Sequence, residues 1–427
     1  MDQVDSKLTK LRKILKALGP GFITGASDDD PTSIATYSQA SVQFSYGQLW
    51  TALFSTPFMI VVQEICGRIG MVTGMGLSGV IRRHYAKAVL YGAVFLLLIA
   101  NTISIGADLG AMASSAQLLL NIPYLFWLLG IATFTILLEV FVPYPTYARY
   151  LKFLTLSLFA YIITALLVKQ DWGKIIYSTL VPSITFSKDY VLNIAAILGT
   201  TISPYLFFWQ ADEEVEEEIK HHKIRSFGKG VPKVTNRDLR EMRLDTVVGM
   251  IFSNLVTFFI IAACASTLGV LGIRSIETAD QAALALKPIA GNFAFLLFAM
   301  GIIGTGFLAV PILAGSAAYA LSEAFNWKTG LGLKLKQAHG FYGVIIIATL
   351  IGLLINFTPI KPFTLLYYTA ILNGVCAPPL LVLIMLIGNN KNIMGENTNS
   401  GPTNIFGWAI TGIMAVVAIA LITAIVS

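Results

Sequence analysis

Residues 26–35 read Ala-Ser-Asp28-Asp29-Asp30-Pro31-Thr-Ser33-Ile-Ala, and this stretch decides the fold. It interrupts an apolar segment. On either side of it, over residues 17–26 and 34–42, the segment carries no charged side chain. A bilayer-spanning helix has no ordinary reason to carry three carboxylates beside a helix-breaking proline. Non-helical backbone at membrane depth is tolerated where it lines a cavity or is buried in protein. The stretch therefore predicts a broken helix whose gap binds a cation.

The composition of the whole chain is typical of an integral membrane protein. Of its 427 residues, 56% are apolar and 12% are charged, and the mean hydropathy is +0.74. Repeated apolar runs of about 18 residues or more mark membrane-spanning helices. Cys66, Cys264 and Cys376 lie far apart in apolar segments and are expected to be packing residues.

Eleven membrane spans are predicted. They cover residues 19–42, 47–67, 88–119, 124–142, 150–168, 190–218, 245–270, 290–325, 340–357, 362–388 and 405–426. With the N-terminal segment 1–18 in the cytoplasm, the segments predicted to lie inside hold 23 of the 29 lysine and arginine residues. This asymmetry follows the positive-inside rule and predicts a multi-pass protein of the cell membrane with a cytoplasmic N-terminus. The largest basic loop, 219–244, is expected to anchor that topology.

The spans divide into two repeats of five, 19–168 and 190–388, and one additional span, 405–426. An odd number of spans per repeat inverts the second repeat relative to the first, as in many secondary transporters whose broken helices frame a midplane site. The sixth span should therefore also be broken, and it carries Thr-Thr-Ile-Ser203-Pro204. The predicted fold class is an all-α integral membrane protein with broken first and sixth helices.

The residues at both breaks resemble those of the Nramp family of divalent-metal transporters, which has the LeuT-type fold. Gly-Pro-Gly at 19–21, followed by Asp-Pro-Thr-Ser-Ile-Ala-Thr at 30–36, is similar to the first-helix signature of that family. In the family, Asp-Pro-Gly-Asn precedes an aromatic-Ala-Thr run. The resemblance covers residues 15–388 and implies a metal site between the two breaks.

The resemblance also implies a ligand set. Asp30 keeps the family's aspartate ligand, and Ser33 stands where the family has an asparagine ligand. The family's sixth helix reads Ala-Thr-Val-Met-Pro-His, with the Met thioether and the Ala carbonyl as ligands. Ser203 occupies the Met position and Thr200 the carbonyl position. Asn373 falls near the amide ligand of the tenth span.

Two further positions, Tyr368 and Thr369, are alternatives to Asn373, because the alignment of the tenth span can slip by one turn. The proton pathway of the family is also altered. Its two sixth-helix histidines are replaced by Tyr205 and Gln210, and of the two acids in its Asp-Leu-Ala-Glu motif only Asp108 remains. All three residues are candidate pathway residues.

These replacements favour a hard metal ion. A thioether prefers transition metals, whereas the predicted site offers carboxylate, hydroxyl and carbonyl oxygens only. Mg²⁺ takes oxygen ligands in octahedral array and usually keeps several waters, for which the small serines leave room. The changes resemble those of the Nramp-related magnesium transporters, a branch of the family.

The remaining acids near the breaks are assigned as follows. Asp29 is a further candidate metal ligand, and Asp28 is a candidate pathway residue that attracts the ion or hydrates the broken helix end. The acidic run 212–218 is either a solvated helix end beside a basic loop or a wide, negatively charged vestibule for hydrated cations. Asp212 and Glu213, nearest the break, are the candidate vestibule residues.

Three functions are considered in decreasing order of their agreement with the sequence. The first is import of Mg²⁺ and Mn²⁺ by alternating access without proton coupling, and the second is proton-coupled transport of Mn²⁺ or Fe²⁺. The third is sodium-coupled symport of an organic solute, which three adjacent aspartates disfavour because such substrates present a carboxylate. No enzyme motif, cofactor site or nucleic-acid site is predicted. The expected partners are the transported ion and the lipid bilayer, and the protein is expected to act as a monomer.

Overall fold

The computed structural model describes residues 19–143, 146, 157–185 and 187–426, and within these residues the regular structure consists of helices and one isolated bridge. The predicted segment 1–18 and the first residues of the predicted span 150–168 lie outside the described ranges. The α-helices are α1 (Pro20–Asp28), α2 (Pro31–Phe44), α3 (Trp50–Thr73), α4 (Leu77–His84), α5 (Lys87–Gln117), α6 (Tyr124–Phe141), α7 (Phe159–Leu167), α8 (Trp172–Leu180), α9 (Lys188–Thr201), α10 (Pro204–Lys220), α11 (Asn236–Thr267), α12 (Ala279–Ala283), α13 (Lys287–Ala290), α14 (Ala294–Phe325), α15 (His339–Ile355), α16 (Pro362–Asn389), α17 (Lys391–Met394) and α18 (Gly401–Val426).

The long apolar helices match the predicted spans. Eight segments of the described chain are long and apolar enough to cross a membrane, namely α3, α5, α6, α9 with α10, α11, α14, α16 and α18. The broken pair α1–α2, the helix α7 and the shorter apolar helix α15 coincide with the other predicted spans. The predicted all-α membrane architecture with breaks in the first and sixth spans is confirmed.

The basic segment 219–244, predicted as a single loop, is partly helical. Helix α10 continues to Lys220, and α11 begins at Asn236, nine residues before the predicted start of its span at 245. A capping box fixes this start: Asp238 N donates to the Thr235 hydroxyl (3.2 Å), and Thr235 N donates to Asp238 Oδ2 (2.9 Å). The prediction followed the onset of apolar residues, whereas the helix begins at its polar cap.

Contacts between backbones hold the halves of the broken helices against their neighbours. A Cβ atom on Gly25 of α1 would lie 2.3 Å from the carbonyl oxygen of Gly249 in α11. A Cβ on Gly199 of α9 would lie 2.1 Å from a carbonyl oxygen of α16, and one on Gly70 of α3 would lie 2.1 Å from a carbonyl oxygen of α10. Small residues are favoured at helix contacts in membranes because they let backbones approach closely. Helices α1, α9 and α10 are therefore each packed closely on a different neighbour, α11, α16 and α3 respectively.

Replacing Gly25 with alanine should separate α1 from α11. Overpacking of a tight contact typically costs about 1–3 kcal/mol, and we expect Gly25→Ala to lie at the upper end of this range because the obstacle is backbone. The measurement is the melting temperature of the purified protein in detergent. Gly92→Ala is the matched control, since a Cβ there meets nothing within 4 Å. Equal melting temperatures for the two variants would contradict the contact.

Candidate metal site at the helix breaks

The first break consists of Asp29 and Asp30, between the end of α1 and the start of α2. Pro31 occupies the first turn of α2, where its missing N–H leaves no hydrogen bond unmade. Asp30 is the N-cap of α2, and its Oδ1 accepts from the backbone N–H of Ser33 at 2.6 Å. The carboxylate that the sequence singles out is thereby held at the mouth of the break.

The second break consists of Ile202 and Ser203, between α9 and α10, with Pro204 in the first turn of α10. The Ser203 hydroxyl donates to the carbonyl oxygen of Gly199 at 2.9 Å and accepts from Asn373 Nδ2 at 3.3 Å. Both breaks therefore have the same local plan, in which a proline restarts the helix beside an oxygen-bearing cap residue.

Hydroxyl groups join the two breaks. Ser33 Oγ lies 2.7 Å from Thr200 Oγ1 and also donates to the carbonyl oxygen of Asp28. The Tyr205 hydroxyl lies 3.1 Å from the carbonyl oxygen of Ser27 and 3.4 Å from Asp30 Oδ2. Tyr37 of α2 and Thr201 of α9, which are not predicted site residues, form a further hydrogen bond across the gap at 2.9 Å. Predicted ligand and pathway residues therefore make part of the contacts between α1–α2 and α9–α10.

The structure places Asn373, of the three tenth-span alternatives, next to the second break. Asn373 is buried and bonds to Ser203. Tyr368 is 54% exposed, and the Thr369 hydroxyl donates to a carbonyl oxygen within its own helix, α16. Asn373 is therefore the tenth-span amide available to an ion near Ser203.

Asp28 and Asp29 face α11. Ser253 Oγ of that helix donates to Asp28 Oδ2 at 2.7 Å and lies 3.5 Å from Asp29 Oδ1. Asp28 Oδ1 and Asp29 Oδ2 are buried without a hydrogen-bond partner. Sequence analysis missed Ser253, because nothing in its own neighbourhood marks it and the contact spans more than 220 residues of chain.

The three carboxylates of the first break are nearly free of solvent, with at most 3% of Asp28, Asp29 or Asp30 exposed. Among the described residues, no lysine, arginine or histidine forms an ion pair with them. Buried charges are costly unless they are paired or coordinate a metal ion. The break is therefore electrostatically suited to a cation.

Asp108 approaches the first break from α5. Its Oδ1 accepts from the Thr32 hydroxyl at 3.1 Å, and its Oδ2 is buried without a partner. Thr32 belongs to the first turn of α2, two residues after Asp30. The structure thus brings Asp108 next to the break, as predicted for a pathway residue.

The remaining predicted pathway residues lie further along α10. Gln210 Nε2 donates to Glu214 Oε1 at 2.9 Å, Asp212 is fully buried and Glu213 is partly buried. The vestibule interpretation of the acidic run stays a prediction; in this conformation Asp212 is covered by the start of α4, since Gly76 faces its carboxylate. A cavity of about 1090 Å³ lies where α2 and α11 end.

The donor atoms at the breaks are of mixed type. Within the described residues, no three histidine, cysteine, aspartate or glutamate side chains converge in a metal-binding group. An ion between Asp30, Ser33 and Thr200 would be held by one carboxylate together with hydroxyl, carbonyl and water oxygens. Such a donor set suits a hard cation that keeps part of its hydration shell.

Comparisons with known proteins agree with this geometry. The family model Nramp, "natural resistance-associated macrophage protein-like", matches residues 21–424. A divalent metal cation transporter MntH from Caldanaerobacter subterraneus is 24% identical over 406 residues, which are 93% of this chain and 90% of the relative. An MntH from Klebsiella pneumoniae is 23% identical over 410 residues, which are 94% and 93% of the two chains.

Solved structures share the fold. A manganese transporter from Eremococcus coleocola superposes with a TM-score of 0.76 at 14% identity, over 96% of this chain and 87% of its own. Mhp1, a nucleobase-cation-symport-1 family transporter, superposes with a TM-score of 0.53 at 12% identity, over 95% and 91% of the two chains. The predicted LeuT-type fold is confirmed.

Removing the hydroxyl of Ser253 should destabilise the metal-free protein. A hydrogen bond to a charged group contributes about 1.5–3 kcal/mol, and Ser253→Ala leaves the carboxylate of Asp28 without its donor. We expect a lower melting temperature in chelator than for Ser38→Ala, whose hydroxyl contacts only a cysteine sulfur at 3.3 Å. If Ser253→Ala melts at or above the temperature of that control, Asp28 is not stabilised by α11.

Proposed function

The chain belongs to the Nramp family, the natural resistance-associated macrophage protein-like membrane transporters, and we propose that it carries Mg²⁺ and Mn²⁺ as largely hydrated ions. The single observation behind this proposal is the oxygen-only donor set at the breaks, formed by Asp30, Ser33, Thr200 and Ser203. Divalent metal cation transport as such is the activity for which its relatives are named. The choice of metal follows from the side chains.

Ligand softness supports a hard cation. Carboxylate, carbonyl and hydroxyl oxygens suit Mg²⁺ and Mn²⁺, whereas a thioether would favour softer transition metals. Mg²⁺ loses water reluctantly and is usually held by one or two carboxylates with several retained waters. Asp30 supplies such a carboxylate, and the short side chains of Ser33 and Ser203 leave volume for the waters.

Alternating access is supported by the way the broken helices are held. Helix α1 packs on α11, whereas the two halves of the sixth span pack on separate units, α9 on α16 and α10 on α3. Transporters of this fold expose a midplane site by rocking such units against each other. The hydroxyl contact between Ser33 and Thr200 is the bridge that an ion and its waters would replace.

Uncoupled transport is supported by the positions of the histidines. Histidine is the side chain best placed to change charge near neutral pH. The chain has four, His84, His221, His222 and His339, and all four are exposed and lie outside both breaks. A membrane potential, negative inside, supplies about 2.3 kcal/mol per charge per 100 mV, or about 4.6 for a divalent ion. Accumulation therefore needs no proton.

A second candidate is proton-coupled Mn²⁺ transport. It is favoured by one observation, the contact of Asp108 with Thr32 beside the first break, because a buried acid there can carry a proton. Sodium-coupled symport of an organic anion is disfavoured by the three buried aspartates.

The proposed location and orientation of the protein follow from the distribution of its basic residues. We place it in the cell membrane with its N-terminus in the cytoplasm, because lysine and arginine are concentrated on one side of the predicted topology. We expect a monomeric transporter that needs no resident cofactor besides the transported ion.

Adding a soft ligand at the second break should change metal preference. Ser203→Met introduces a thioether, which cannot replace a water molecule on a hard ion, so we expect uptake of Mg²⁺ to fall at least tenfold relative to Cd²⁺. Ser203→Ala is the matched control, since it removes the hydroxyl without adding sulfur. The measurement is competition between Mg²⁺ and Cd²⁺ for uptake into proteoliposomes. Unchanged preference in Ser203→Met would mean that this side chain does not face the ion.

Metal uptake should proceed without proton movement. In proteoliposomes held at a fixed membrane potential, we expect Mn²⁺ to enter while a pH-sensitive dye inside records no change. Asp30→Ala should abolish uptake, because it removes the carboxylate at the mouth of the break, whereas Asp280→Ala, at an exposed acid, should retain it. Acidification that follows metal uptake and disappears in Asp30→Ala would establish proton coupling instead.

A further inference from the structure

Two carboxylates that lie outside the helix breaks come together at the predicted cytoplasmic end of the molecule. Asp212 of α10 and Glu323 of α14 both face Gly76, just before the start of α4. A Cβ atom on Gly76 would lie 1.8 Å from Asp212 Oδ1 and 2.5 Å from Glu323 Oε2. The sum of these distances, 4.3 Å, is an upper limit on the separation of the two oxygens. We call Asp212 and Glu323 the inner carboxylate pair.

The two members of the inner carboxylate pair differ in their surroundings. Glu323 accepts two backbone hydrogen bonds at 2.9 Å, from Gly76 N to Oε1 and from Gly79 N to Oε2. These amides lie at the N-terminus of α4, where unpaired N–H groups and the helix dipole favour an anion. These two hydrogen bonds offset part of the cost of burying the Glu323 carboxylate.

Asp212 has no such partner. It is fully buried, and neither of its carboxylate oxygens has a hydrogen-bond donor. Among the described residues, no lysine, arginine or histidine forms an ion pair with Asp212 or Glu323. Arg82 of α4 acts on Glu323 electrostatically without forming an ion pair with it, and Arg82 is exposed. Two buried carboxylates this close cannot both be charged unless a closer cation or a shared proton compensates them.

The position of Asp212 connects the pair to the helix breaks. Asp212 follows Tyr205 by seven residues, so both lie on the same face of α10, about 10.5 Å apart along its axis. The Tyr205 hydroxyl is 3.4 Å from Asp30 Oδ2. An ion that leaves the break along this face of α10 would reach Asp212 next.

We propose that the inner carboxylate pair is a second divalent-cation site, separate from the site at the breaks. Asp212 and Glu323 each supply a carboxylate oxygen, and water completes the coordination shell. Mg²⁺ is usually held in this way, and Mn²⁺ also accepts such oxygen ligands. The identity of the ion as transported cargo rests on the proposed function, whereas the site itself rests on the geometry of the pair. An ion there neutralises Asp212 and joins α10 to α14 beneath α4.

The test is the number of Mn²⁺ ions bound by the full-length chain in detergent, counted by electron paramagnetic resonance of free and bound Mn²⁺. We expect two ions per chain for the wild type, one for Asp30→Ala, one for Asp212→Asn and none for the double variant. Glu323→Gln should also bind one ion. Asp280→Asn, the same exchange at an exposed acid of α12 outside both proposed sites, is the matched control and should bind two.

The outcomes separate this proposal from the proposed function. Binding by Asp212→Asn equal to that of the wild type would overturn the inner site and would indicate that the pair shares a proton. Loss of one ion in Asp212→Asn together with no loss in Asp30→Ala would support the inner site and contradict the site at the breaks.

A second measurement, the melting temperature, distinguishes the loss of an ion site from a folding defect. Asparagine keeps the shape of aspartate and removes an uncompensated charge, so Asp212→Asn should melt in chelator at or above the wild-type temperature. It should also gain less stability from added Mn²⁺. A lower melting temperature in chelator would overturn the proposal, because Asp212 would then be stabilised without a metal ion.

Discussion

The hydrogen bond between the hydroxyls of Ser33 and Thr200 is the contact on which the rest of the structure depends. It joins the two places where membrane helices give up their own hydrogen bonding. Backbone groups freed by a break must find partners inside the protein, because lipid offers none. Asp30 and Ser203 provide them by capping and hydroxyl contacts, while Pro31 and Pro204 restart each helix without needing a donor.

Close packing holds the helices beside the two breaks against their neighbours. Helices α1, α9 and α10 contact α11, α16 and α3 at glycines, where the backbones approach closely. In this conformation Asp212 of α10 lies beneath the start of α4, and a cavity of about 1090 Å³ lies where α2 and α11 end. A cation bound to the inner carboxylate pair would lie between α10 and α14, beneath the start of α4.

The sequence is most informative where a polar or helix-breaking residue occurs in an otherwise apolar segment. Three aspartates beside a proline in an apolar segment locate the first break, and the inverted-repeat rule then locates the second at Ser203-Pro204. Both predictions depend on local features of the chain. The start of α11 was misplaced because apolar onset was followed instead of the cap at Thr235.

Contacts between distant segments could not be predicted in the same way. Ser253 and Glu323 belong to helices more than 200 residues from the segments they bond, and each is unremarkable in its own helix. The register of the tenth span was open among three residues until packing placed Asn373 against Ser203. These long-range contacts depend on which faces of the helices pack together. In a helix that is hydrophobic on all sides, the periodicity of the sequence does not determine the packed face.

The central claim is that an oxygen-only site at paired helix breaks carries a hydrated hard cation. The most direct test is uptake of Mg²⁺ into proteoliposomes containing the purified protein, with Mn²⁺ and Ca²⁺ as competitors. The account predicts Mg²⁺ uptake that Mn²⁺ inhibits, with both ions using the same site. Uptake of Mn²⁺ with no detectable uptake of Mg²⁺ would contradict it.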